Sequence, residues 1–142
     1  MTYQLNPYLS FDGDARAAME FYKDVFGGTL TLNTFSEFGA DQDNPQVSDR
    51  IMHASLQAPN GLTLMASDAM PGEAFEPGNA YAVSLSGDAD SLDELRECWR
   101  RLSDGGTVTM PLEKQVWGDE FGMCTDRFGT PWMIDIGLPE SS

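Results

Sequence analysis

The 142 residues suit one domain or two tightly fused half-domains, and a hydrophobic fraction of 41% is enough for a packed core and too much for a disordered chain. Eight Lys and Arg against 23 Asp and Glu leave a formal charge of −15, which repels phosphate backbones and anionic membranes and argues against nucleic acid or a lipid surface as partner. No apolar run nears the ~20 residues of a membrane span, and the opening MTYQLNPYLSF has neither the basic start nor the apolar middle of a secretory signal, so a cytoplasmic location is the expectation.

The first predicted element is a short apolar strand, QLNPYLSF. Asp14 then stands where a helix cap would, and ARAAMEFYKDVF follows with Ala18, Phe21, Tyr22 and Val25 at i, i+3, i+4 and i+7, one face of a helix. Gly27 is placed to end it, and TLTLNTF alternates as a strand does. Residues 36–49, SEFGADQDNPQVSD, read as a polar insertion loop. RIMHASLQ and LTLMASD flank the turn APNG and complete a hairpin. Residues 71–79 read as a linker.

The grammar then recurs. AYAVSLS is a strand, and Ser91 is placed to cap a helix whose stripe is Leu92, Leu95, Trp99 and Leu102. The phrase GGTVTM at 105–110 repeats GGTLTL at 27–32, and EFGMCT and PWMIDIG flank DRFG as a second hairpin. Each half is therefore β-α-β-β-β, with boundaries expected at 1–70 and 80–142. One such unit packs one sheet face on its helix and leaves the other bare. The fold class predicted is α+β, with two βαβββ modules making a curved eight-stranded mixed sheet, helices on the outer face and a cleft within. A ferredoxin-like pair with another strand order is the competing arrangement.

Cys98 falls in a helical pattern and Cys124 in a strand pattern, so both read as reduced core thiols. Period-2 reasoning places Asp135 on the face of Met133 and Ser67 on that of Met65. If Met52, Ala54 and Leu56 pack on the core, His53 points away from it. His53 is the candidate acid–base group. Asp68 is its candidate partner across the hairpin, and a structural role is the alternative for each. Tyr8, Met65, Phe121 and Met133 predict an adaptable apolar lining. Trp117, before Gly118, either closes over a flat ligand or packs at the sheet edge. The expected ligand-binding set is thus Tyr8, His53, Met65, Trp117, Phe121, Met133 and Asp135.

The pieces NPYLSFDGDARAAMEFYKDVFGG, IMHASL, LTLMASD, VWGDEFG and DRFGTPWMIDI, in that order, cover nearly the whole chain. They resemble the PhnB-like branch of the vicinal oxygen chelate superfamily, which includes glyoxalase I, extradiol dioxygenases and bleomycin-resistance proteins. The resemblance implies paired βαβββ modules and commonly a homodimer. It also implies a divalent ion held by His, Gln or Glu from the first and last strands of each module, acting as a Lewis acid toward vicinal substrate oxygens. The His position falls near Tyr8. The Glu positions, four residues past Gly61 and Gly129, hold Met65 and Met133. A thioether is a poor ligand for a hard cation. No cofactor is therefore expected, and a divalent metal is the disfavoured alternative. Some members of the branch carry a demethylubiquinone methyltransferase label, but no G-x-G turn opens either helix here. The expectation is a small-molecule binding protein with a degenerate metal site. The alternative is an enzyme acting on a small organic substrate, either metal-dependent with unusual ligands or using His53 as acid and base.

Overall fold

The computed structural model describes residues 3–39, 48–70, 75–78 and 80–138. Most of the predicted insertion loop and of the predicted linker (residues 40–47, 71–74 and 79) lies outside the described residues. The chain divides into two units, Met1–Pro77 and Gly78–Ser142.

In the first unit the order is β1 (Tyr8–Phe11), α1 (Ala15–Phe26), β2 (Thr29–Thr34), β3 (Ile51–Gln57) and β4 (Thr63–Asp68). Its four-stranded sheet runs β1-β4-β3-β2, with β1 parallel to β4 and the other pairs antiparallel. In the second unit the order is β5 (Val83–Asp88), α2 (Leu92–Ser103), β6 (Thr107–Lys114), β7 (Glu120–Thr125) and β8 (Pro131–Gly137). Its sheet runs β5-β8-β7-β6 with the same mixture of directions. Both units are thus βαβββ, and the duplicated sequence encodes a duplicated topology of two four-stranded mixed sheets.

The repeated double glycine has a steric cause. A Cβ on Gly28 would lie 2.1 Å from the carbonyl oxygen of Gln57, and one on Gly106 would lie 2.2 Å from that of Thr125. In each unit the chain leaves its helix and joins the next strand so close to a neighbouring backbone that no side chain fits.

The helix starts depart from expectation. Neither Asp14 nor Ser91 makes a side-chain capping bond. The carboxylate of Asp68, at the end of β4, does that work for α1. Its Oδ1 accepts from Gly13 N at 2.8 Å and Ala15 N at 3.0 Å, and its Oδ2 accepts from Ile51 N at 2.9 Å. Holding Ala15 there turns that residue onto the sheet. The buried stripe is then Ala15, Ala18, Met19 and Tyr22, the i, i+3, i+4, i+7 set counted from Ala15. Phe21 and Val25, expected in the stripe, are only half-buried.

A β-bulge corrects the reading of β3. Asn33 pairs with His53 but Thr34 pairs with Ile51, so one residue of β2 faces two of β3. Ile51 thereby takes a fully buried place, and Met52, expected in the core, is exposed. In the second unit Trp132, Ile134 and Ile136, alternate residues of β8, are buried. The indole Nε1 of Trp132 donates to Asp126 Oδ2 at 2.8 Å. Of the predicted α2 stripe, Leu102 is fully buried, whereas Leu92, Leu95 and Trp99 are partly so.

Candidate functional site

Each sheet covers one face with its helix, and the opposite face carries the candidate residues. In the first unit, parallel register sets Tyr8 beside Met65 and Ser10 beside Ser67. Antiparallel register sets Ser55 beside Met65, Thr31 beside Ser55 and Asn33 beside His53. Alternation puts all of these on the face away from α1, because Leu9, Leu64, Ala66, Ala54 and Leu56 occupy the buried side. Tyr8 Oη lies 3.2 Å from His53 Nδ1, with the ring centroids 5.9 Å apart and tilted by 32°. The face is uncharged and rich in hydroxyls, with a single thioether, so the apolar lining predicted for Tyr8 and Met65 is not its character. The carboxylate of Glu37 accepts from Asn33 Nδ2 at 3.2 Å.

Asp68 belongs elsewhere. It is 5% exposed on the helix side of β4, and three backbone N–H groups engage it. His53 bonds to Tyr8, and the expected His53–Asp68 pairing is not formed. A buried carboxylate that accepts from three backbone donors is a structural clamp, turned toward the helix start and away from His53.

In the second unit, Ser84 lies beside Met133 and Ser86 beside Asp135. Phe121 faces Asp135 and Met123 faces Met133 across the β7–β8 pair. Trp117 sits in the β6–β7 turn, 59% exposed, with its ring edge-on to Phe121 at a centroid distance of 5.8 Å. Asp135 has a buried Oδ1 with no hydrogen-bond partner among the described residues. Burial, and then the neighbouring carboxyl of Asp119, push its pKa above the ordinary carboxylate value. Sequence reasoning missed Asp119. It stands outside β7, where alternation gives no guide to which face it meets. This face carries the thioethers of Met123 and Met133 and the phenyl ring of Phe121.

The register identifies the positions where the family resemblance implies metal ligands. Tyr8 with Met65, and Ser84 with Met133, are the paired first-strand and last-strand positions. Those donors are a phenol already bonded to an imidazole, a serine hydroxyl and two thioethers, which do not suit a hard divalent ion. Among the described residues no group of three or more His, Cys, Asp or Glu converges.

Comparison with known proteins agrees with this architecture. The chain is 31% identical to protein YjdN of Escherichia coli K12 over 144 residues, covering 93% of this chain and 94% of that one. The crystal structure of PA1353 from Pseudomonas aeruginosa superimposes with a TM-score of 0.83 at 36% identity, covering 97% of this chain and all of that one. A Bacillus cereus PhnB protein, described as a putative 3-demethylubiquinone-9 3-methyltransferase, shares the fold with a TM-score of 0.72 at 22% identity over 95% of this chain and 100% of that one. Residues 4–134 match the Glyoxalase/Bleomycin resistance protein/Dioxygenase superfamily. The chain therefore belongs to that superfamily, the vicinal oxygen chelate proteins, with a PhnB protein among its structural neighbours.

Proposed function

We propose that this protein is a cytoplasmic, homodimeric small-molecule binding protein that keeps the glyoxalase fold and has given up the inherited metal chemistry. One observation carries the reading. At both pairs of strand positions where the family places ligands, the last strand supplies methionine, Met65 beside Tyr8 and Met133 beside Ser84. Thioethers bind hard cations poorly and adapt well to apolar ligand surface. Tyr8, His53 and Met65 in the first unit, and separately Trp117, Phe121, Met133 and Asp135 in the second, are the side chains proposed to meet ligands. Exposed Val108 and Met110 on edge strand β6 are in keeping with association between copies.

Elemental analysis of the purified protein tests the reading, alongside light scattering for its oligomeric state. Substoichiometric Mn, Fe, Ni and Zn are expected. A stoichiometric divalent ion, lost in His53→Ala, would establish the metalloenzyme instead. The Tyr8–His53 hydrogen bond favours a second reading, an acid–base enzyme on the same face. An activity that survives His53→Ala unchanged would rule that out.

A further inference from the structure

The contact between Tyr8 Oη and His53 Nδ1, at 3.2 Å, fixes more than a ring position. A phenol is a good donor and a weak acceptor, because its oxygen lone pair is drawn into the ring. A neutral imidazole nitrogen is a strong acceptor. Were the proton on Nδ1, it would point at the poorer acceptor, and the phenol hydrogen would be left to solvent while the better acceptor went unused. The favoured arrangement is Oη–H donating to Nδ1, with the imidazole proton on Nε2.

The surroundings then select what that N–H can meet. Ser10, Ser55 and Ser67 share this face from β1, β3 and β4. None of the described side chains of that face carries a fixed positive charge, Glu37 stands at its rim, and the chain as a whole carries −15. An anion would be repelled. A cation would find no free nitrogen lone pair on His53, since Nδ1 is engaged and Nε2 is protonated.

We propose that Tyr8 is a positioning residue that holds His53 as an Nε2–H donor, and that this face takes the oxygen of an uncharged carbonyl ligand. This rests on the reading of the same face as the ligand site, and it adds the class of ligand. The chain has one histidine, so its ring nitrogens give one set of resonances in long-range 1H–15N spectra of the full, 15N-labelled protein. At about pH 8.5, where an ordinary imidazole is neutral, Nε2 should be of the protonated type and Nδ1 of the hydrogen-bonded, unprotonated type. In Tyr8→Phe, Nδ1 should move to the position of an unbonded nitrogen. Tyr8 is half-exposed, so this variant should keep the wild-type far-UV spectrum. A protonated Nδ1 in the wild type, or an Nδ1 signal unmoved by Tyr8→Phe, would overturn the positioning role whether or not any ligand binds.

The ligand class is read separately from the Nε2–H resonance. Cyclohexanone should shift it saturably, whereas acetate and inorganic phosphate should not. A saturable shift with either anion, or none with the ketone, would overturn the carbonyl assignment and leave the tautomer result standing.

Discussion

Removing the Asp68 carboxylate should damage the first unit far more than its position at a strand end suggests. Three backbone N–H groups from separate segments converge on it: Gly13 and Ala15 where α1 begins, and Ile51 where β3 begins. In Asp68→Ala the N–H groups of Ala15 and Ile51 are buried and lose their acceptor, each at about 1–3 kcal/mol, while that of Gly13 regains water. Allowing for relaxation at the helix start, the expected loss is about 3–4 kcal/mol, a large share of the ~5–15 kcal/mol of an ordinary domain. For a chain of this size that is roughly 10 °C in Tm. Asp68→Asn keeps one acceptor oxygen but turns an NH2 toward another donor, so it should cost about 2 kcal/mol. Urea unfolding followed by far-UV circular dichroism is the suitable assay, because Trp99, Trp117 and Trp132 all lie in the second unit and their emission does not report on Asp68. An Asp68→Ala variant within about 1 kcal/mol of wild type would show that these bonds are dispensable and that α1 is anchored by its apolar stripe alone.

Asp135 gives a pH dependence of opposite sign to the common carboxylate. In the unfolded chain it loses its proton near 3.8, whereas in the fold burial and Asp119 hold the proton to higher pH. The folded state therefore binds more protons across that window, its stability falls as pH rises through it, and the loss is constant above. Asp135→Asn should match wild type at low pH and gain on it as pH rises, whereas Asp119→Asn should bring the Asp135 titration back toward its ordinary value; parallel stability–pH curves for wild type and Asp135→Asn would refute this. The thiol of Cys124 is pushed up to about 11, mainly by burial and then by Asp126. Native protein should thus show no fast reaction at Cys124 with an aromatic disulfide reagent, and full reaction once unfolded. Gly28→Ala and Gly106→Ala should each lower stability by at least ~1–3 kcal/mol, because the added Cβ meets backbone carbonyl oxygen at 2.1 and 2.2 Å. Urea midpoints equal to wild type would show that the junction shifts freely.

Much of this architecture can be read from short-range pattern, and what escapes the sequence is long-range. β7 and β8 fall on the predicted segments residue for residue, since alternation, a turn glycine and β-formers agree there. The paired glycines mark both helix-to-strand junctions for the same steric reason. The α1 stripe is misjudged because its phase is set by Asp68, 53 residues beyond Ala15 in sequence. The β3 core is misjudged because the bulge depends on register with β2, which no local window contains. At the site, parallel register sets Met65 beside Tyr8 and Met133 beside Ser84. Asp119 stayed invisible because its link to Asp135 belongs to a turn.

The two halves also show what duplication holds fixed and what it releases. Both keep the strand order, the glycine junction and the helix-covered face, because each of these is a condition for the unit to fold. The opposite faces answer to no such condition and have diverged. One carries serines, threonine and asparagine around a single imidazole, and the other carries methionines and phenylalanine around a carboxyl with an unmatched oxygen. A hard cation on either face would want oxygen or imidazole donors at the paired first- and last-strand positions, and the last strand of each unit supplies methionine there. Each face taken by itself offers an organic molecule a different surface, hydroxyls and an imidazole on the first and thioethers and a phenyl ring on the second. Methionine at the last-strand position of both units, amid faces that otherwise differ, is the shared feature on which the proposed loss of an ion rests.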